Sequence, residues 1–239
     1  MSTPTAGVAP PRGPQGPDGQ GRPATASTAS AGLEVVASPL GWFTVPTPDG
    51  PFTAILGGCD ADAPVLASGW VDRPELLAVE VRRALAPLKA AKDPIVRQVS
   101  STLAADAVEA YYGGDLAAIG RIVVIQAGEG FVIRARRAMR RIPPGQTWTY
   151  ARLAAEAGNP KAARAAGTAC SANPAALFVP CHRVLPASGR PGAFGYGPEV
   201  KVSLLAREAA LLPPIPTFTE VRYTTEQIEA ILDEMRGDH

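Results

Sequence analysis

Residues 149–169 have the sequence TYARLAAEAGNPKAARAAGTA, which predicts two short helices joined by a tight turn. The first helix covers 149–157 and ends at Gly158-Asn159-Pro160, and the second covers 161–169. Two short helices around a Gly-containing turn have the outline of a helix-turn-helix. Taken alone this signal is weak, because many small helical hairpins bind nothing.

The second helix has small side chains around one long residue, Arg164. A smooth helix of this kind can approach a DNA groove closely, with the Arg projecting as a probe. The other interpretation is a tight helix–helix contact with Arg164 on the surface, and the segment by itself slightly favours it.

Both helices lie in a basic block. Residues 121–208 carry 13 basic and 4 acidic side chains, in a chain whose formal net charge is +1. The block is equally compatible with a solvated Arg-rich face and with a segment that binds a polyanion. No apolar run approaches the roughly 20 residues that span a bilayer, so we expect no membrane partner.

Composition and hydrophobic patterning divide the chain into four segments. Residues 1–31 are rich in Pro, Gly, Ala and Ser and predict a disordered, low-complexity arm. Residues 32–127 predict an α/β domain with a small antiparallel sheet, 128–211 a mainly α domain, and 212–239 an acidic extension with an amphipathic pattern. Strands are predicted over 33–37, 41–45, 52–56, 65–70 and 122–125, and further helices over 74–89, 93–112, 131–141 and 200–211.

The chain has three Cys at wide spacing, an odd number that argues against a disulfide scaffold and for a reducing compartment. Cys181 follows an apolar run and Pro180, and it precedes His182 and Arg183. A thiol beside these residues is a place where a lowered pKa can arise, and the thiolate is the nucleophile. A buried, inert structural Cys is the commoner case.

Several motifs together resemble the O6-alkylguanine-DNA alkyltransferase family. Their order and spacing agree over 142–208 without a gap, and the resemblance is weaker over 33–141 and absent over 1–31 and 212–239. The motifs are IPPGQTWTY at 142–150, GNPKAARAAG at 158–167, Asn173-Pro174, PCHRV at 180–184, the glycines at 192–197, and KVSLLARE at 201–208.

The resemblance implies an α+β protein of two domains, the first ribonuclease H-like and the second winged-helix-like with a helix-turn-helix. It also implies a DNA repair activity without a cofactor. Such proteins bind double-stranded DNA through the minor groove, flip out O6-alkylguanine and transfer the alkyl group irreversibly to a Cys, once per molecule. We therefore expect a cytoplasmic protein that acts at the nucleoid as a monomer, with cooperative assembly on DNA left open.

The resemblance also assigns roles to residues. Cys181 would be the nucleophile, His182 the base acting through a water, and Glu208 the group that orients His182. Asn173 would hold the active-site loop, Tyr150 would donate to the guanine ring, and Arg164 would fill the place of the flipped base. Further DNA contacts would come from Thr149, Tyr150, Ala163, Ala166 and Gly167, and substrate contacts from Val184, Phe194 and Lys201.

This chain departs from the family pattern at several positions. Phe194 stands where the family usually has Tyr, which removes a hydroxyl near the base. Ala135-Arg136 replaces an apolar Val-Trp pair, so either the core repacks there or Arg136 reaches a phosphate. Some members carry a structural zinc in the first domain, but with Cys59 and no His before position 182 we expect no metal here.

Two other functions compete with alkyl transfer. A DNA-binding module that recognises alkylated guanine without transferring the group is disfavoured, because relatives of that type replace the Cys, commonly with Trp. A Cys hydrolase on an unrelated fold needs an oxyanion hole, for which the sequence has no motif.

Overall fold

The computed structural model describes residues 39–85, 96–126 and 129–211. The predicted arm at 1–31, the predicted strand at 33–37, the end of the 74–89 helix and the acidic extension lie outside these residues. Within the described ranges, no helix is both long and apolar enough to cross a bilayer.

The N-terminal half is built on a small mixed sheet. Strands β1 (Leu40–Thr47), β2 (Gly50–Leu56) and β3 (Val65–Gly69) form the predicted antiparallel meander. The β1–β2 turn is tight because Thr47 Oγ1 donates to the Gly50 carbonyl at 2.6 Å and Gly50 adopts a φ of +108°, which suits glycine.

The fourth strand corrects the prediction of a helix over 93–112. Residues Val96–Gln98 form β4, an exposed edge strand that pairs in parallel with β1, so the sheet order is β3-β2-β1-β4. The helix starts at Leu103, because the Thr102 side chain accepts a hydrogen bond from the amide of Ala105 and caps it. The strand predicted at 122–125 is also wrong, since only Val124 forms a bridge, to Val65.

Helices cover both faces of the sheet. One face of the sheet packs on α2 (Leu103–Tyr112). The opposite face packs on a 3₁₀ turn (Pro74–Leu77) and on α1 (Ala78–Leu85). Neighbouring β2 residues alternate between the two clusters: Ala54 and Leu56 join the first, and Ile55 joins the second.

The C-terminal half is mainly helical. It contains α3 (Gly130–Met139), α4 (Tyr150–Glu156), α5 (Ala163–Ser171) and α6 (Pro198–Leu211), close to the predicted bounds. Two short strands, β5 (Trp148–Thr149) and β6 (Val184–Leu185), pair in parallel and bring the start of α4 beside the segment that follows Cys181. One hydrophobic cluster runs through both halves, so the sheet and the helices share a core.

Candidate active site

The segment between α5 and Cys181 is held by Asn173. Its side-chain oxygen accepts from the amide of Ala175 at 3.2 Å, and its Nδ2 donates to the carbonyl of Val179 at 2.8 Å. The same Nδ2 lies 3.1 Å from Cys181 Sγ and donates to it. Asn173 therefore fixes both the shape of the loop and the position of the sulfur.

Strand β3 holds the same loop from the N-terminal half. The Ser68 amide donates to the Pro174 carbonyl at 2.9 Å, and the Ser68 hydroxyl donates to the Ala176 carbonyl at 2.9 Å. Between these anchors and Cys181, the buried Leu177 adopts a φ of +70°, a strained conformation for a branched side chain. The loop keeps this strain because its contacts on both sides fix the backbone.

Cys181 lies in the 3₁₀ turn Cys181–Arg183 and is 7% exposed. Burial raises the pKa of its thiol, and the Asn173 hydrogen bond and the charges of Lys201 and Arg136 offset that rise only in part. The lowered pKa that can arise beside His182 and Arg183 is therefore not found here, and the sulfur is buried, as in the commoner case. Both neighbours direct their side chains to Glu208 instead.

Glu208, in α6, is the centre of a buried hydrogen-bond network. Its Oε1 lies 2.9 Å from His182 Nε2 and 2.8 Å from Arg183 Nη2, and its Oε2 accepts from the Gly145 amide at 3.0 Å. Burial alone would raise the pKa of this carboxyl, but His182 and Arg183 outweigh it and hold the pKa well below its ordinary value. Glu208 is therefore a carboxylate that fixes the orientation of the imidazole.

His182 is completely buried, and burial lowers its pKa although Glu208 opposes the change. Its Nδ1 has no hydrogen-bond partner among the described residues. A neutral imidazole that donates from Nε2 to Glu208 keeps a lone pair on Nδ1, so the ring can act as a base.

Lys201 is buried, and its charge acts on the Cys181 thiol. Its Nζ donates to the carbonyl of Val184 at 2.9 Å, and burial lowers its pKa. Val184 and Lys201 were both predicted to contact the substrate, and this hydrogen bond joins them; it leaves one of the two lone pairs of the Val184 carbonyl oxygen available.

Phe194 belongs to an aromatic cluster that also includes residues of the N-terminal half. Its ring centroid lies 6.0 Å from Trp70 and 5.8 Å from Tyr196. The Tyr196 hydroxyl donates to the carbonyl of Ser68 at 3.1 Å, and the Tyr196 ring occupies the space that a side chain at Gly69 would need. The loop before α6 is thereby fastened to β3.

The residues of α4 and α5 that were predicted to contact DNA differ in how exposed they are. Arg164 is exposed in the first turn of α5, and Tyr150 is half-buried, with its ring at van der Waals distance from the Cβ position of Gly167. Thr149 caps α4 by accepting from the Arg152 amide at 3.1 Å. Ala166, also predicted to contact DNA, is fully buried in α5 and exposes no surface in this structure.

Arg136 is half-buried and forms a hydrogen bond within the fold. Its Nη2 donates to the carbonyl of Ala172 at the end of α5, and the preceding Ala135 is fully buried. Of the two expectations for this departure, repacking within the fold is the one that the structure supports. The guanidinium also carries a positive charge to the carbonyl end of a helix, where it is favourable.

Comparisons with known proteins agree with this geometry. A family model described as the 6-O-methylguanine DNA methyltransferase DNA-binding domain matches residues 130–210. A methylated-DNA–protein-cysteine methyltransferase of Mycolicibacterium paratuberculosis is 34% identical over 173 residues, which cover 72% of this chain and 89% of the relative. The chain belongs to the methylated-DNA–protein-cysteine methyltransferase family.

Other members of this methyltransferase family match over shorter segments. The Methanosarcina acetivorans protein is 39% identical over 103 residues, which cover 43% of this chain and 65% of that relative. The match thus spans slightly less than two thirds of that relative. A crystal structure of the Mycobacterium tuberculosis O6-methylguanine methyltransferase has a TM-score of 0.55 at 27% identity and covers 74% of this chain and 96% of that one. The same organism's protein in complex with DNA has a TM-score of 0.53 at 26% identity, covering 73% and 96%.

Sequence reasoning missed several residues of this candidate site. The sequence marks Arg183 only as a neighbour of the Cys, although it forms the ion pair with Glu208. Four others come from the N-terminal half, where nothing in the sequence looks catalytic: Ser68, Gly69, Trp70 and Tyr111. The Tyr111-Tyr112 pair before Gly113-Gly114 is the sequence feature that could have drawn attention to Tyr111. Its contact Glu208 lies far away in the sequence, so the pair alone does not indicate a role.

Proposed function

We propose that the protein repairs DNA by flipping O6-alkylguanine out of the duplex and transferring its alkyl group to Cys181. The observation that carries the proposal is the grouping of three features in one buried centre. These are the Cys181 sulfur held by Asn173, the His182 imidazole with a free Nδ1 lone pair, and the Glu208 carboxylate that orients it. Family membership supports the same activity.

The transfer moves one proton and one alkyl group. The thiol proton of Cys181 passes to His182 through a bridging water, and the sulfur attacks the alkyl carbon. A carbon–sulfur bond forms, the bond to guanine O6 breaks, and the electron pair stays on the guanine. Tyr150 donates toward a ring nitrogen of the base, which makes guanine a better leaving group.

The raised pKa of Cys181 is consistent with this order of events. A buried thiol stays protonated at rest, so a base must accept the proton when the alkyl carbon arrives. The product is a thioether, which is a poor leaving group at neutral pH. Each molecule therefore transfers one alkyl group and is not regenerated.

On the DNA side, we propose that α4 and α5 act as the helix-turn-helix of a winged-helix-like unit that binds the minor groove as a monomer. Exposed Arg164 would enter the base stack where the guanine has left it, and the surrounding basic block would neutralise phosphates. Flipping costs a few kcal/mol, which these contacts can offset. The crystal structure of the M. tuberculosis relative with DNA supports DNA as the partner.

A single experiment tests the transfer. The protein is incubated with a duplex that contains O6-methylguanine, digested and analysed by mass spectrometry. A Cys181 peptide heavier by one methyl group is expected, with unmodified guanine left in the DNA. Cys59→Ala and Cys170→Ala are matched controls that should still transfer, while Cys181→Ala should lose transfer and still bind DNA.

An unmodified Cys181 peptide with the lesion intact would contradict the proposal. If such a protein still bound the lesion tightly, the recognition module without transfer would become the better interpretation.

A further inference from the structure

Tyr111 connects the N-terminal half to the reactive centre. It lies in the last turn of α2 and is fully buried. Its hydroxyl donates to Glu208 Oε1 at 3.0 Å, across 97 positions of sequence. No role in transfer follows for it from the motifs of residues 142–208.

The oxygen that Tyr111 contacts is the one that faces His182. Glu208 Oε1 lies 2.9 Å from His182 Nε2, so the phenol and the imidazole share one acceptor atom. A hydrogen bond donated to a carboxylate stabilises its charged form and reduces its attraction for a proton. The phenol therefore moderates how strongly Glu208 draws a proton onto His182.

The hydroxyl is not needed to anchor α2. The next residue, Tyr112, makes separate contacts: Arg207 Nη1 donates to its carbonyl at 3.3 Å and the guanidinium lies 4.7 Å from its ring centroid. The Tyr112 hydroxyl donates to Asp49 at 2.7 Å and accepts from Trp70 at 3.0 Å. A Phe at 111 would fill the same core volume, so packing alone does not explain a phenol there.

Other charged and titratable groups also act on Glu208 and His182. Arg183 contacts both oxygens of Glu208, and Lys201 and Arg183 both oppose a positive charge on His182. Tyr112 lies against Tyr111, with ring centroids 5.4 Å apart. Among these groups, Tyr111 is the neutral donor on the shared oxygen.

We propose that Tyr111 is a positioning residue of the transfer reaction: its phenol holds Glu208 and sets the pH at which His182 can accept the thiol proton. This inference rests on the proposed function, since it concerns the proton that leaves Cys181. It makes the N-terminal half part of the reaction machinery as well as of the fold.

The test compares Tyr111→Phe with Tyr112→Phe, its neighbour in the same ring pair. Methyl transfer from an O6-methylguanine duplex is measured in single turnover, with protein in excess, across a pH series. Without the phenol, Glu208 attracts the His182 proton more strongly, so the pKa of His182 rises and neutral imidazole is lost at a higher pH. The acid limb of the rate profile should move up by roughly half a pH unit or more in Tyr111→Phe, and it should not move in Tyr112→Phe.

A second readout does not depend on transfer. The chain has two His, so the His182 imidazole can be followed by NMR, with His239→Gln assigning the other resonance. The His182 titration midpoint should rise in Tyr111→Phe. Incorporation of 3-fluorotyrosine at 111, which keeps the ring and gives a more acidic hydroxyl, should move both the midpoint and the acid limb to lower pH.

The possible outcomes separate the two proposals. A wild-type protein that transfers no methyl group would overturn the proposed function. Wild-type transfer with profiles that superpose for all variants would overturn the role of Tyr111 alone. If Tyr111→Phe does not fold, the fluorotyrosine protein decides, and an unchanged or upward shift there overturns the role.

Discussion

Replacing Glu208 by Gln is expected to destabilise the protein far more than the same change at Glu156. Both carboxylates pair with an Arg, but Arg183–Glu208 is 5% and 1% exposed, whereas Arg141–Glu156 is 58% and 40% exposed. Glu208→Gln would also place an amide group among the donors of Arg183, Gly145 and Tyr111. The buried Arg183 would then lose its compensating charge.

The expected losses of stability in Glu208→Gln and Glu156→Gln differ clearly. Removing one partner of a buried ion pair costs about 3–5 kcal/mol, and an exposed pair contributes about 0.2–1 kcal/mol. At roughly 2–4 °C per kcal/mol for a chain of this size, Glu208→Gln should lower Tm by roughly 6–20 °C. Glu156→Gln should lower it by no more than about 4 °C.

The assay is urea unfolding at pH 7, followed by Trp fluorescence, with thermal unfolding as a second measurement. Arg183→Met combined with Glu208→Gln should recover part of the lost stability, because no unpaired charge then remains buried. Equal losses below about 1 kcal/mol at positions 208 and 156 would refute the reasoning. They would mean that the buried network does not hold Glu208 as a charged acceptor.

Three further outcomes are expected. The pKa of Glu208 in the folded state lies below its ordinary value of 4.5, so its contribution to stability is present above pH 4.5 and is lost as the pH falls toward the folded-state pKa. In urea unfolding at several pH values, the free energy of unfolding should therefore fall less steeply in acid for Glu208→Gln than for the wild type. Gly69→Ala should lower the free energy of unfolding by about 1–3 kcal/mol, because the new methyl group meets the Tyr196 ring, while Gly120→Ala, with open space around it, should not; a stable Gly69→Ala protein with Tyr196 in place would count against this contact. Arg164→Ala should slow transfer from duplex DNA about tenfold and affect the free base much less, with Arg73→Ala as the charge-matched control; equal slowing on both substrates would exclude a role in base extrusion.

Local signals predicted the elements that carry the candidate site. The glycine at 158, which was predicted to end the first helix of the pair, acts within a few residues, so its pattern can be recognised in the sequence. The position of Cys181 at the end of a buried run also follows from its neighbours. These features depend on local backbone geometry, which is determined by residues close together in the sequence.

The edge strand β4 could not be predicted in the same way. Its residues read as the start of a helix, and they form a strand because β1 offers them hydrogen-bond partners. Strand pairing of this kind is a tertiary interaction, and it overrides the local preference of three exposed residues.

The electrostatics of the reactive centre were likewise decided by the tertiary structure. The motif resemblance pairs His182 with Glu208, and the fold also directs Arg183 to that carboxylate and places the Asn173 amide beside the sulfur. The sequence by itself determined which groups are available for chemistry. Packing added the contacts that no motif predicts, such as Arg183 with Glu208, because charge interactions depend on distance and burial and not on separation along the chain.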